Sequence, residues 1–164
     1  MISLSSLNYT SDIKMTDALS GTTKSEMFKI VRKLDLFVSQ DLDGEELVTR
    51  FAEELIKADI EILCTLDKQE LKIVEEFVNG GPNTHVVRKI RTKPYLLQKY
   101  CLVLTYCDEE NKQWHLLMPD VIRESLAKRL PYFLDLAKSG LKPASARQIR
   151  LAAAVRPEFR HGLL

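Results

Sequence analysis

Three cysteines, three histidines and several acidic pairs are the side chains in this sequence with the chemistry to hold a metal or run a reaction. Cys101, Cys107 and His115 stand close together and invite a metal reading. A strand through residues 101–107 would hold the two thiols about 20 Å apart at roughly 3.3 Å per residue, too far for one zinc ion. The short Cys-x-x-Cys knuckle that brings two thiolates onto one metal does not occur, and buried structural thiols are the expectation. His85, His115 and His161 are the only histidines, and nothing in the sequence marks a nucleophile beside any of them. There is no Gly-x-Ser-x-Gly elbow, and Gly80-Gly81-Pro82 lacks the Lys and the Ser or Thr that complete a phosphate-binding loop. Glu45-Glu46, Glu53-Glu54 and Glu75-Glu76 flank apolar positions at helical spacing and read as solvated faces. The expectation is a protein that is not an enzyme, with no catalytic residues, no metal and no cofactor.

Composition is that of a folded globular domain. At 164 residues, 45% hydrophobic and 29% charged, the chain can bury a sizeable core without disulfides or metals. Its longest apolar runs, such as Leu151 to Val155, fall far short of the roughly 20 residues a membrane helix needs. The N-terminus carries Asp12 and Asp17 and lacks a basic stretch followed by an apolar one, so it reads as a polar tail and not as a secretory signal. Cys64, Cys101 and Cys107 are too few and too scattered for a disulfide framework, which points to a reducing, cytoplasmic setting.

The elements that would position these side chains can be read from caps and periodicity. Thr23-Lys24-Ser25-Glu26 is a capping box, followed by Met27, Ile30, Val31, Leu34 and Val38 at helical spacing. Asp43-Gly44-Glu45-Glu46 opens a second helix with a stripe of Leu47, Phe51, Leu55 and Ile56. Asp67 to Glu70 caps a third, with Leu66 able to staple onto Leu71, and Asn79-Gly80-Gly81-Pro82 stops it. Residues 84–90 fit a short helix or a strand equally well. Pro94 suits the first turn of a helix through Tyr95, Leu96 and Leu97. Leu102, Leu104 and Tyr106 alternate, Asp108 to Lys112 turns the chain, and Trp114, Leu116 and Met118 alternate on the way back, which predicts a β-hairpin within about residues 101–118. Further helices follow Pro119-Asp120 and Pro131, and a last one runs from about Pro143 to Val155 before Pro157 breaks it.

The expected fold class is α+β, mainly helical. A polar tail at 1–22 and a helical extension at 23–62 lead into a core at 63–130, and 131–164 forms a C-terminal helical segment with a frayed basic end. The order helix, short element, helix, hairpin, helix over residues 67–130 resembles a winged helix-turn-helix, in which the hairpin is the wing. The resemblance covers about 64 residues and rests on element order without a signature motif. It implies a DNA-binding regulator whose recognition helix lies near residues 94–100.

Charge is distributed in blocks. Residues 35–76 hold thirteen Asp and Glu against four Lys and Arg, whereas residues 77–107 hold Arg88, Lys89, Arg91, Lys93 and Lys99 and no acid. Residues 128–164 are basic as well. In a winged helix the run from Arg88 to Lys99 would lead into and occupy the recognition helix, with duplex DNA as partner. Against this, the hairpin tip Asp108-Glu109-Glu110 would meet phosphate with like charge, and a net charge of +1 lacks the excess common in nucleic-acid binders. The competing expectation is an adaptor that docks another protein, or a second copy of itself, through complementary charged faces.

Overall fold

The computed structural model describes residues 15–155, and within them the protein is mainly helical with one small antiparallel sheet. The expected polar tail begins outside the described residues, at 1–14, but its end is not loop: α1 (Met15–Leu19) buries Met15, Ala18 and Leu19. The frayed end expected at 156–164 also lies outside the described residues.

Helix α2 (Lys24–Leu34) starts where the capping box places it, with the Thr23 hydroxyl accepting from the N–H of Glu26 at 3.1 Å. It buries Met27, Ile30, Val31 and Leu34 and ends at Asp35, which takes the left-handed conformation, so Val38 falls beyond the helix. Helix α3 (Gly44–Lys57) buries Leu47, Phe51 and Leu55, but Asp43 makes no side-chain cap. Its carboxylate accepts from Lys24 Nζ at 2.6 Å instead and ties α3 to the start of α2.

Helix α4 (Asp59–Thr65) was not expected. Ile60, Ile62 and Leu63 are all buried, so the amphipathic stripe that marks a surface helix is absent from so short an element. Helix α5 (Lys68–Gly80) has its cap as read, the Asp67 carboxylate accepting from the N–H of Glu70 at 2.8 Å. Gly81 follows it at φ 74°, a conformation that strains any residue with a Cβ.

Residues His85–Lys89 resolve as strand β1. Val86 and Val87 are β-branched, and they find a partner for their backbone in β3 (Gln113–Leu117), which also pairs with β2 (Leu104–Asp108). The sheet order is β1-β3-β2, all antiparallel. The hairpin is therefore present with its turn at 109–112, and β1 adds a third strand to it. Between β1 and β2 lies the one-turn helix α6 (Leu96–Lys99).

The register divides the sheet into two faces. Val86, Thr105 and Leu116 stand opposite one another and are buried, Val86 and Leu116 in the same core as Ile73, Val74 and Phe77 of α5. On the other face Leu104 and Leu117 pack under Ala18 of α1, with His85 exposed beside Leu117 on the edge strand and Tyr106 and His115 half-buried one pair further along. Helices α7 (Asp120–Ala127) and α8 (Leu130–Lys138) add Ile122, Leu126, Leu130 and Phe133 to the main core, and α9 (Ala146–Val155) rests on it through Ala146 and Ile149. One hydrophobic cluster thus runs from Met15 to Phe133. No helix among the described residues is long and apolar enough to cross a membrane.

Candidate functional site

The five basic residues of the Arg88 to Lys99 run divide by chemistry. Arg88, on β1, forms an ion pair with Glu76 of α5 and donates to the carbonyl of Val87 at 2.9 Å. Arg91 donates to Gln69 Oε1 of α5 at 3.1 Å and to the carbonyl of Lys93 at 3.0 Å, and its guanidinium lies 3.7 Å from the Tyr95 ring centre. Both arginines therefore serve as struts between this segment and α5, a use for which the planar fork is suited. Lys89, Lys93 and Lys99 are exposed, and no carboxylate among the described residues lies within ion-pair distance of them.

The run expected to lead into and occupy a recognition helix reaches helix only at its end. Arg88 and Lys89 lie on a strand, Arg91 and Lys93 lie in the connection after it, and only Lys99 is in a helix, one of four residues. The reason is local. Pro94 keeps Lys93 out of helical conformation, and Cys101 at φ 60° ends the turn so that Leu102 and Val103 can enter the core.

What holds residues 91–100 is a set of buried polar contacts. Glu70 is only 1% exposed, and its Oε1 accepts from the N–H of Leu97 at 3.1 Å. Burial pushes its carboxyl above the usual range, opposed by that hydrogen bond and by the nearby Arg91 charge. Gln98 is also buried: its Oε1 accepts from the N–H of Tyr95 at 2.9 Å, and its Nε2 donates to Thr105 Oγ1 of β2 at 3.4 Å. Leu97 is fully buried. The segment is thereby fixed on its α5 and β2 sides, leaving Lys93, Pro94, Leu96 and Lys99 on the side away from them.

That free side faces α2 across a groove of about 660 Å³. Pro94, Leu96 and Lys99 form one wall, and Glu26, Lys29, Ile30 and Lys33 form the other, with Tyr100 and Cys101 also lining it. Lys29 and Lys33 are four residues apart on the exposed side of α2, one turn from each other. Tyr100 is 4% exposed, and its hydroxyl has no hydrogen-bond partner among the described residues. Sequence reasoning missed Lys29 and Lys33, which lie far from the basic run. Their i, i+4 spacing on the polar face of α2 was the available signal, and only the tertiary fold brings it opposite Lys99.

His85 Nε2 and His115 Nδ1 are 2.8 Å apart, hydrogen-bonded ring to ring, and the rings stack at 4.9 Å. Asp108 Oδ2 lies 3.6 Å from the other nitrogen of His115, and Tyr106 packs against that ring. Burial, then the His115 charge, holds His85 below the ordinary histidine value, while hydrogen bonds from Asn111 hold Asp108 low. Cys64, Cys101 and Cys107 are free thiols. Cys101 precedes β2 and is not on a strand, so the strand-length argument against a shared metal does not apply to it. It sits 3.5 Å from Thr22 Oγ1, and burial pushes its thiol up. Among the described residues no three His, Cys, Asp or Glu side chains converge as a metal would require. His161 lies outside the described residues.

Elsewhere the acidic and basic blocks close on each other. Arg150 of α9 donates to both carboxylate oxygens of Glu61, to Asp59 and to the carbonyl of Lys57, which latches α9 onto the start of α4. Compared with protein-family models, curated proteins and solved structures, the chain has no match in any of the three.

Proposed function

We propose that this chain is a non-enzymatic binding protein, an adaptor that docks a partner protein through cations its own fold leaves uncompensated. The observation that carries this is the division of its positive charge. Arg88, Arg91 and Arg150 are spent on internal contacts with α4 and α5, whereas Lys29, Lys33, Lys93 and Lys99 stand exposed without an acidic partner among the described residues. The three free cysteines favour a reducing, cytoplasmic setting for it.

Duplex DNA is the second reading, in which the chain is a regulator with a winged-helix-like core. The exposure of Lys89, Lys93 and Lys99 favours it, because cations free of internal partners are those that can displace counterions from phosphates. The one-turn α6 and the acidic tip of the hairpin speak for the adaptor instead, since α6 is too short to lie along a major groove.

A salt titration of binding to mixed-sequence duplex DNA, run beside light-scattering sizing of the free protein, separates the two. The adaptor reading expects no steeply salt-dependent duplex binding. Duplex bound at low salt, with affinity falling linearly on a log-log plot and weakened for every sequence by charge reversal at Lys93 and Lys99, would establish the DNA reading in its place.

A further inference from the structure

From the groove between α2 and α6 we infer a binding site for a short acidic peptide segment with an apolar anchor, presented by a partner protein. This rests on the adaptor reading above and names the partner's chemistry.

The charge of the groove selects the ligand's sign. Lys29, Lys33 and Lys99 come from two walls that are more than sixty positions apart in sequence, and among the described residues Glu26 is the single acidic residue lining the groove. None of the three lysines has a carboxylate within 4.0 Å among the described residues. Three ammonium groups around one concavity repel one another until an anion enters, so each carboxylate of an acidic segment relieves repulsion as well as gaining attraction.

The lining between the lysines is apolar. Ile30, Pro94 and Leu96 can cover one aliphatic or aromatic side chain, and a groove of about 660 Å³ is in the size range of sites that enclose a small ligand. A purely polyanionic ligand such as a phosphate backbone has nothing to place there.

Tyr100 supplies the independent sign of a ligand. Buried polar atoms in folded proteins are nearly always hydrogen-bonded, and one that is not calls for an explanation. The Tyr100 hydroxyl is one of three such atoms among the described residues, with Trp114 Nε1 and His115 Nε2, and of the three it alone belongs to a residue lining this groove. In the free protein this hydroxyl is sealed from solvent, so an oxygen of the bound segment satisfies it by parting the lining of the groove.

The wall that carries Leu96 and Lys99 is set before binding. Glu70, Gln98 and Arg91 fix residues 91–100 from behind, so little ordering has to be supplied when the ligand arrives.

The test uses the full chain and a fluorescein-labelled peptide, Glu-Glu-Leu-Phe-Glu-Glu, followed by anisotropy at about 0.15 M salt, where charges more than roughly 8 Å apart are screened. Saturable binding is expected, with replacement of the Glu residues by Gln, or of Leu-Phe by Ser-Ser, each weakening it about tenfold or more. The double variant Lys33→Glu, Lys99→Glu should weaken it at least about tenfold, and Lys33→Arg, Lys99→Arg should restore most of it. Tyr100→Phe should cost roughly threefold to tenfold, the loss of one hydrogen bond. Circular dichroism of each variant confirms the fold.

Peptide binding that survives the double charge reversal would overturn the site. So would a dimer that dissociates on that reversal without peptide, which would make the occupant a second copy, or duplex DNA that binds more tightly and displaces the peptide. If the peptide fails while the protein still ignores duplex, the groove assignment falls and the adaptor reading stands. Tight salt-dependent duplex binding removes both.

Discussion

Leu96 and Leu97 are adjacent in sequence and lie on opposite sides of the same short segment. Leu97 is sealed between α5 and the core, fully buried, with its N–H held by Glu70, whereas Leu96 is half-buried on the wall of the groove toward α2. The charged residues around them divide the same way. On the sealed side the charged and amide groups have partners: Arg88 has Glu76, Arg91 has Gln69 and Tyr95, and Gln98 has Thr105. On the groove side Lys29, Lys33, Lys99 and the Tyr100 hydroxyl have none among the described residues. A basic run is therefore two things at once in this protein, a structural splint made of arginines and a free surface made of lysines.

The largest expected effect tests the sealed side. Leu97→Ala should lower stability by about 2–5 kcal/mol, the cost of truncating a fully buried leucine, whereas Leu96→Ala should cost under about 1 kcal/mol. Urea denaturation of the two variants measures both. Equal losses would mean that Leu96 is as much core as Leu97, and the division between the two sides would fail.

Much of this arrangement was legible beforehand, and the illegible part has a physical pattern. The caps at Thr23 and Asp67, the stop at Gly81 and the hairpin could be read because each depends on residues within four or five positions of one another. Asp43 looked like the same kind of cap and is not, because Lys24 claims its carboxylate from nineteen positions away. The ambiguity at residues 84–90 was resolved by β3, a partner nearly thirty residues downstream. Helix α4 is too short to display a period, and Glu70, expected to reach back as part of a capping box, turns instead to the N–H of Leu97. The candidate groove failed to show for the same reason: Lys29 and Lys33 belong to a helix whose position beside α6 no local signal encodes.

A second experiment sharpens the sealed side through pH. Because burial raises the carboxyl of Glu70, the folded protein holds that proton over a range of pH in which the unfolded chain has released it. Stability attributable to this group is then greatest in acid and falls as pH rises from the ordinary glutamate value, about 4.3, through the higher folded one. Glu70→Gln keeps an oxygen for the N–H of Leu97 and removes the ionisation. The variant should show none of that fall, and at neutral pH it should match or exceed the parent in stability. Parallel stability curves for the two proteins between pH 4 and pH 7, read by urea denaturation at each pH, would place the charge of Glu70 in contact with water.

The smallest expected effect lies on the open side and has the opposite sign. A hydroxyl buried without a partner has lost its hydrogen bonds to water and gained nothing in return, which costs about 1–3 kcal/mol, while the ring that carries it is packed as any core aromatic would be. Tyr100→Phe removes the oxygen and leaves the ring. If the groove is empty in the free protein, the variant should be more stable than the parent by up to about 1 kcal/mol, part of the gain being lost to the small void left behind. The same change should weaken the acidic peptide, so that one atom is unfavourable to folding and favourable to binding. A core tyrosine bonded within the fold would behave otherwise, its loss lowering stability and leaving peptide affinity unchanged. Thermal unfolding of the two proteins, measured with and without peptide, distinguishes these cases: a variant that melts higher alone and gains less from peptide locates the missing partner of Tyr100 in the ligand.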